Sequence, residues 1–263
     1  MSENLGEYIV NDVELLERVG WTEFFRQKWV GSNFASSENV HHPGKHLLTN
    51  LTLCSAPVRF HTQEWSRENI SAALARGAHK SCMEHLEFLH DEFSAMIQKG
   101  EWVVLPAKSV MDLPNLRISP PGIVPQCEPR SSWTCDYTWS GVNADTLPLV
   151  AMGSMQFGHA LDRILRGILL ADPSLGPVQL LKVDLSDGFY CVNLNVSDIP
   201  KLGVVVPANP GEELLIAFPL VLPMGWKNIP PIFFTAIETI ADLANQRIQA
   251  GLIPIFSTTR LMK

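Results

Sequence analysis

Two carboxylates three residues apart, Asp184 and Asp187, stand inside the run Gln179 to Leu194, QLLKVDLSDGFYCVNL. Valine and leucine on both sides of Asp184 predict a buried strand. A lone carboxylate there is costly unless it is paired or holds a cation. Two readings meet that cost. Either Asp184 caps a strand end and Asp187 is a turn residue, or Asp184 holds a Mg²⁺ ion, which takes oxygen ligands from carboxylates and backbone carbonyls. Asp187 and Gly188 predict a tight turn, with Phe189 to Leu194 as the return strand of a hairpin.

A second stretch, Leu222 to Phe233, LPMGWKNIPPIF, gives the first its context. Together they resemble the reverse transcriptases of long-terminal-repeat retrotransposons and retroviruses. In that family a hydrophobic-Asp-Leu-x-x-Gly-aromatic strand carries a metal-binding aspartate, and a Leu-Pro-x-Gly-Trp segment lies under the incoming nucleotide. Asp184 matches the aspartate; Pro223, Gly225, Trp226 and Pro230 match the second segment. Three further stretches fit in the same order: LPNLRISPPGIVPQ from Leu113, CDYTWSGVN from Cys135 and MQFGHALDRIL from Met155. The likeness covers residues 80 to 250.

The resemblance implies an α+β fold, part of a polymerase right hand with an antiparallel palm sheet backed by helices. It implies an N-terminal extension (1–80), a fingers part (81–150), a palm part with the Asp184 hairpin (151–195), a return to the fingers (196–228) and a palm helix (229–263). It assigns catalysis to Asp184, and metal binding to Asp184 and the Leu185 backbone carbonyl. Nucleotide contacts fall to Arg130, Asp187, Phe189, Met224, Gly225 and Trp226, with Phe189 as the ring that excludes a 2′-hydroxyl. The implied chemistry is template-directed nucleotidyl transfer from a dNTP to a primer 3′-hydroxyl, with Mg²⁺ as cofactor and an RNA or DNA template–primer as partner.

Three departures bear on activity. Ser132 stands where the family has a second arginine on the triphosphate; loss of such a donor typically costs a few kcal/mol of transition-state binding. Ile229 replaces a small residue beside the template. After Asp242 the chain has no acidic residue, so the aromatic-x-Asp-Asp strand of the family is missing. One aspartate cannot hold two cations about 4 Å apart. The expectation is a polymerase portion cut off before its second catalytic motif and inactive by itself, with weak or absent Mg²⁺ binding. The alternative is a non-enzymatic nucleic-acid- or protein-binding remnant.

The elements that position these residues follow from periodicity. Asp12 to Val30 has helical character broken at Gly20, and 31–75 reads as irregular. Ser81 with Glu84 forms a capping-box pattern before the apolar stripe Leu86, Leu89, Phe93, Met96 and Ile97, which Gly100 ends. Glu101 to Leu105 predicts a strand, 106–129 a Pro-rich extended loop, and Trp133 to Trp139 a further strand. Ser154 caps a helix from Met155 to about Leu170 with an apolar face of Leu161, Ile164, Leu165, Ile168 and Leu169 opposite His159, Asp162, Arg163 and Arg166. Strands are expected at 202–206 and 214–218, and a helix opened by Pro230 and Pro231 runs to Gly251. His79, Cys82 and His85 share a three-residue spacing but lack an evident fourth zinc ligand, and read as helix-entry residues.

Composition sets outer limits. The 263 residues are 46% hydrophobic and 18% charged, a globular balance with material for one or two domains. With 20 basic and 27 acidic residues the net charge is −7, so the average surface repels nucleic acid and any binding needs a local patch. Five widely spaced cysteines, no secretory leader and no run of about 18 apolar residues predict an intracellular protein without a membrane span. Neither a protease Asp-Thr/Ser-Gly, a zinc knuckle nor a phosphate loop occurs.

Overall fold

The computed structural model describes residues 3–29, 45–124, 132–150, 160–180 and 188–250. The chain opens with α1 (Glu3–Val19) and α2 (Trp21–Lys28), divided at Gly20, whose φ of 75° takes the backbone out of the helix. Helix therefore starts well before the expected Asp12. Leu5, Ile9, Asp12 and Leu16 recur at helical spacing on α1 and are buried. Asp12 thus occupies a place in the apolar stripe, where Lys28 of α2 pairs with it.

α3 (Lys45–Cys54) and α4 (Arg67–Arg76) replace much of the irregular region expected over 31–75. The Ser66 side chain accepts from the Asn69 N–H to cap α4, a start signal hidden among polar residues. α5 (Lys80–Met83) and α6 (Leu86–Gln98) follow. Ser81 does not close the expected capping box: its hydroxyl accepts from the Ile123 N–H at 3.2 Å, and the long helix begins only at Leu86. The stripe itself holds, with Leu89, Phe93 and Met96 buried.

β1 (Trp102–Pro106) lies where a strand is expected. The described part of 106–129 is more ordered than a loop, since it contains α7 (Ala107–Val110), β2 (Ile118–Ser119) and β3 (Pro121–Val124). Pro121 is tolerated because it opens its strand. β4 (Ser132–Cys135) pairs antiparallel with β3, matching Pro121 to Cys135 and Val124 to Ser132. The strand expected to reach Trp139 thus stops at Cys135 and turns. α8 (Val142–Asp145) and α9 (Ala160–Leu169) come next, and a 3-10 helix occupies Gly188–Cys191.

The main sheet is completed by β5 (Gly203–Val206) and β6 (Leu215–Pro219), in the order β1-β6-β5-β2. β1, β6 and β5 pair antiparallel, while β2 joins β5 in parallel. β1, β5 and β6 are buried along their whole length, as all-apolar strands covered on both faces must be. α10 (Ile229–Gln249) ends the described chain, with both prolines in its first turn as expected. The result is a mixed α and β fold, as the sequence predicts at that level.

One aromatic pair and one aromatic triangle tie the layers together. Phe25 of α2 meets Phe218 of β6 edge-on at 5.6 Å. Phe93, Trp102 and Trp133 form a triangle with centroids 5.1 to 6.1 Å apart, joining α6 and β1 to the β3–β4 hairpin. The predicted return strand 189–194 is corrected: Gly188–Cys191 is helical, and pairing begins only afterwards. There Leu194 N–H donates to Leu220 O and Leu222 N–H to Val192 O, while Ala56 N–H donates to Asn193 O. Among the described residues no helix is long and apolar enough to cross a membrane.

Candidate functional site

The turn 223–228 can lie where it does only because residue 225 is glycine. Gly225 has a φ of 102°, and a Cβ there would overlap the Cys135 carbonyl oxygen and sit 3.0 Å from Thr134 Oγ1. The turn is thereby pressed against the end of β4. Cys135 N–H donates to Met224 O at 3.3 Å. Asn143 then clasps the turn from the other side. Its Nδ2 donates to Gly225 O and to Thr138 Oγ1, both at 2.9 Å, and its Oδ1 accepts from Lys227 N–H at 2.8 Å.

Trp226, 1% exposed, anchors the arrangement. Its indole N–H donates to Thr146 Oγ1 at 3.1 Å, and that hydroxyl donates in turn to Val142 O at 2.7 Å. The Lys227 ammonium reaches Thr146 O at 3.2 Å. Buried Asn228 donates to Leu147 O and accepts from Leu149 N–H. Two segments some eighty residues apart, 135–149 and 223–228, are therefore one docked unit. Met224 is 38% exposed on its open side, whereas Trp226 offers no ring surface to a ligand and serves to hold the turn.

Phe189 lies half-buried, edge-on to Phe233 of α10 at 4.9 Å. Phe233 is in the second turn of the helix that leaves the 223–228 turn, so Phe189 packs on the start of that helix. Asp184, Leu185, Asp187 and Arg130, the other expected site residues, lie outside the described residues, as does the strand expected around Asp184. Among the described residues no group of three His, Cys, Asp or Glu side chains converges on a point where a metal ion would sit.

Two polar clusters flank the docked unit, and neither has a signal in the sequence because its members come from distant segments. In the first, Arg117 is buried and donates to Asp145 Oδ2 at 2.6 Å, Thr62 Oγ1 at 3.1 Å and Gln63 O at 3.1 Å. Its guanidinium lies 3.7 Å from the Phe60 ring centroid. Burial works against the Asp145 carboxylate, but hydrogen bonds from Thr62 and Arg117 outweigh it and hold the group below its ordinary range. This cluster ties the segment 60–63 to α8 just before Thr146.

In the second, His79 bridges α4 to the end of β4. Arg76 donates to His79 Nδ1 at 2.9 Å, and His79 Nε2 meets Asp136 Oδ2 at 2.9 Å. The tautomer with its proton on Nε2 satisfies both contacts. The Cys82 thiol donates to Pro121 O at 3.1 Å, and burial pushes it up to about 11. Beside this cluster an open cleft of about 430 Å³ is lined by His79, Gly122, Thr134, Asp136, Thr138 and Gly225, among others. The turn that the sequence singles out thus forms part of a cleft wall.

No family model matches the chain, and no curated protein matches it.

Proposed function

We propose that this chain is the fingers and front-palm portion of a retroelement-type RNA-directed DNA polymerase, and that its 263 residues alone do not polymerise. The observation that supports the reading is the docking of the 223–228 turn on the 135–149 segment through Gly225, Asn143 and Trp226. The resemblance puts the Leu-Pro-x-Gly-Trp segment under the incoming nucleotide and the Cys135 stretch in the fingers that fold over it, and chance similarities would have no reason to lie together. Around that site the reading places a dNTP beside Met224 and Gly225, with Phe189 under the sugar and Arg130 at the triphosphate. Asp184 would hold Mg²⁺, which supplies charge neutralisation at the phosphorus. The chain's own part is to orient the nucleotide with a rigid turn.

The proposed lack of extension by these 263 residues alone rests on their having no acidic residue after Asp242 to complete a two-cation site with Asp184. Primer extension with an RNA template, a DNA primer, dNTPs and Mg²⁺ tests this, alongside fluorescence anisotropy of the same template–primer. We expect binding that weakens with salt, and no extension above a protein-free control. Extension abolished by Asp184→Asn would overturn the inactivity; no binding at any salt concentration would overturn the polymerase reading.

A further inference from the structure

Trp139 is the largest aromatic side chain left in solvent among the described residues, at 52% exposure. It does not hang loose. Its backbone N–H donates to Asp136 Oδ1 at 2.8 Å, which fixes the turn after β4. The Arg76 guanidinium lies over its ring, 4.6 Å from the centroid, and the His79 ring stands nearly perpendicular to it at 6.3 Å. Arg76 is itself pinned. It donates to Gly77 O at 3.2 Å and Ala78 O at 2.9 Å, besides its contact with His79.

An indole held in this way, with a cation behind it and half its surface in water, matches what a base-stacking platform requires. A nucleobase presents a π-face of similar size, and stacking on a preorganised ring avoids the entropy of ordering it. The guanidinium also brings positive charge to a molecule whose average charge is negative. Asp136, beside the platform, has its two oxygens engaged by Trp139 N–H and His79 Nε2. Next to the platform lies the open cleft of about 430 Å³, which shares His79 and Asp136 with it and is lined also by the Ser81, Thr134 and Thr138 side chains.

We infer that Arg76 and Trp139 form a stacking platform for an unpaired base of single-stranded nucleic acid, with the strand continuing into the adjoining cleft. The choice of nucleic acid as ligand rests on the proposed function; the platform itself stands on the geometry of the Arg76–Trp139–His79 stack, to none of whose residues the resemblance gives a role.

The test is anisotropy of the full chain with three labelled probes: a single-stranded 12-mer, a template–primer with a single-stranded overhang, and a blunt duplex. Trp139→Ala should weaken binding of the first two by roughly tenfold or more, within the range stacking contributes per base, and leave the blunt duplex unchanged. Trp139→Phe should restore most of the affinity, and Arg76→Ala should give an intermediate loss. Because Trp139 is exposed, circular dichroism and the unfolding midpoint should not move. If the template–primer binds but Trp139→Ala has no effect, or lowers blunt-duplex binding equally, the platform is overturned and the polymerase reading stands. If no probe binds, both fall together.

Discussion

At the scale of single residues, Gly225 is the position where side-chain chemistry is most constrained. Gly225→Ala adds a methyl group that meets the Cys135 carbonyl in a backbone region L-residues avoid. Either the turn lifts from β4 or both segments shift. We expect a loss of about 2 to 3 kcal/mol in the urea-unfolding free energy. Asn143→Ala should cost less, about 1 to 2 kcal/mol, because it leaves the Gly225 carbonyl and Lys227 N–H to water. Equal stability of Gly225→Ala and wild type would mean that the turn does not bear on Cys135.

Two carboxylates should oppose one another in their response to pH. Asp145 has a folded pKa below its unfolded value, so its contribution is complete above about pH 4 and lost as pH falls through the lowered value. Asp12 is raised, burial outweighing the hydrogen bond and charge of Lys28. Its contribution is complete below about pH 4 and lost as pH rises through the raised folded value. Urea midpoints measured from about pH 3 to 7 should therefore show a shallower acid loss in Asp145→Asn. Asp12→Asn should remove a decline that wild type shows on the rising side.

At the scale of elements, legibility depended on whether a segment's own pattern decided its structure. α6, β1, β5 and β6 could be read from apolar spacing because one face or both are buried. α4 escaped notice because its face is mostly polar and its start depends on Ser66. The aromatic content of 189–194 predicts a strand that Gly188–Cys191 does not form, because Phe189 turns to Phe233 instead of to a neighbouring strand. Of the site, the Gly-Trp turn and the Cys135 segment were legible as motifs. The clamp of Asn143, the Arg117–Asp145 pair and the Arg76–Trp139 stack were not, since each depends on a contact across the chain. A further element-scale expectation concerns α5, fastened to β3 by the Cys82 thiol. Iodoacetamide at about pH 8 should modify exposed Cys54 and Cys191 first, with buried Cys82 and Cys135 reacting only as the chain unfolds. Rapid modification of Cys82 would show that α5 detaches from the hairpin.

At the scale of the whole molecule, the question is whether the first two helices are an appendage or part of the core that carries the site. Leu5, Ile9, Leu16, Phe24 and Phe25 are buried, and Phe25 meets Phe218 in the middle of the sheet. At about 1.5 to 3 kcal/mol for each buried apolar side chain, this layer contributes on the order of 10 kcal/mol as an upper estimate. A domain's entire stability is about 5 to 15 kcal/mol. A chain shortened to begin at residue 45 should therefore lose its cooperative unfolding transition. It should also lose any nucleic-acid binding, although no residue assigned to the nucleotide site or the stacking platform has been removed. If the shortened chain keeps both, α1 and α2 are dispensable and the sheet is stabilised by its remaining helices alone.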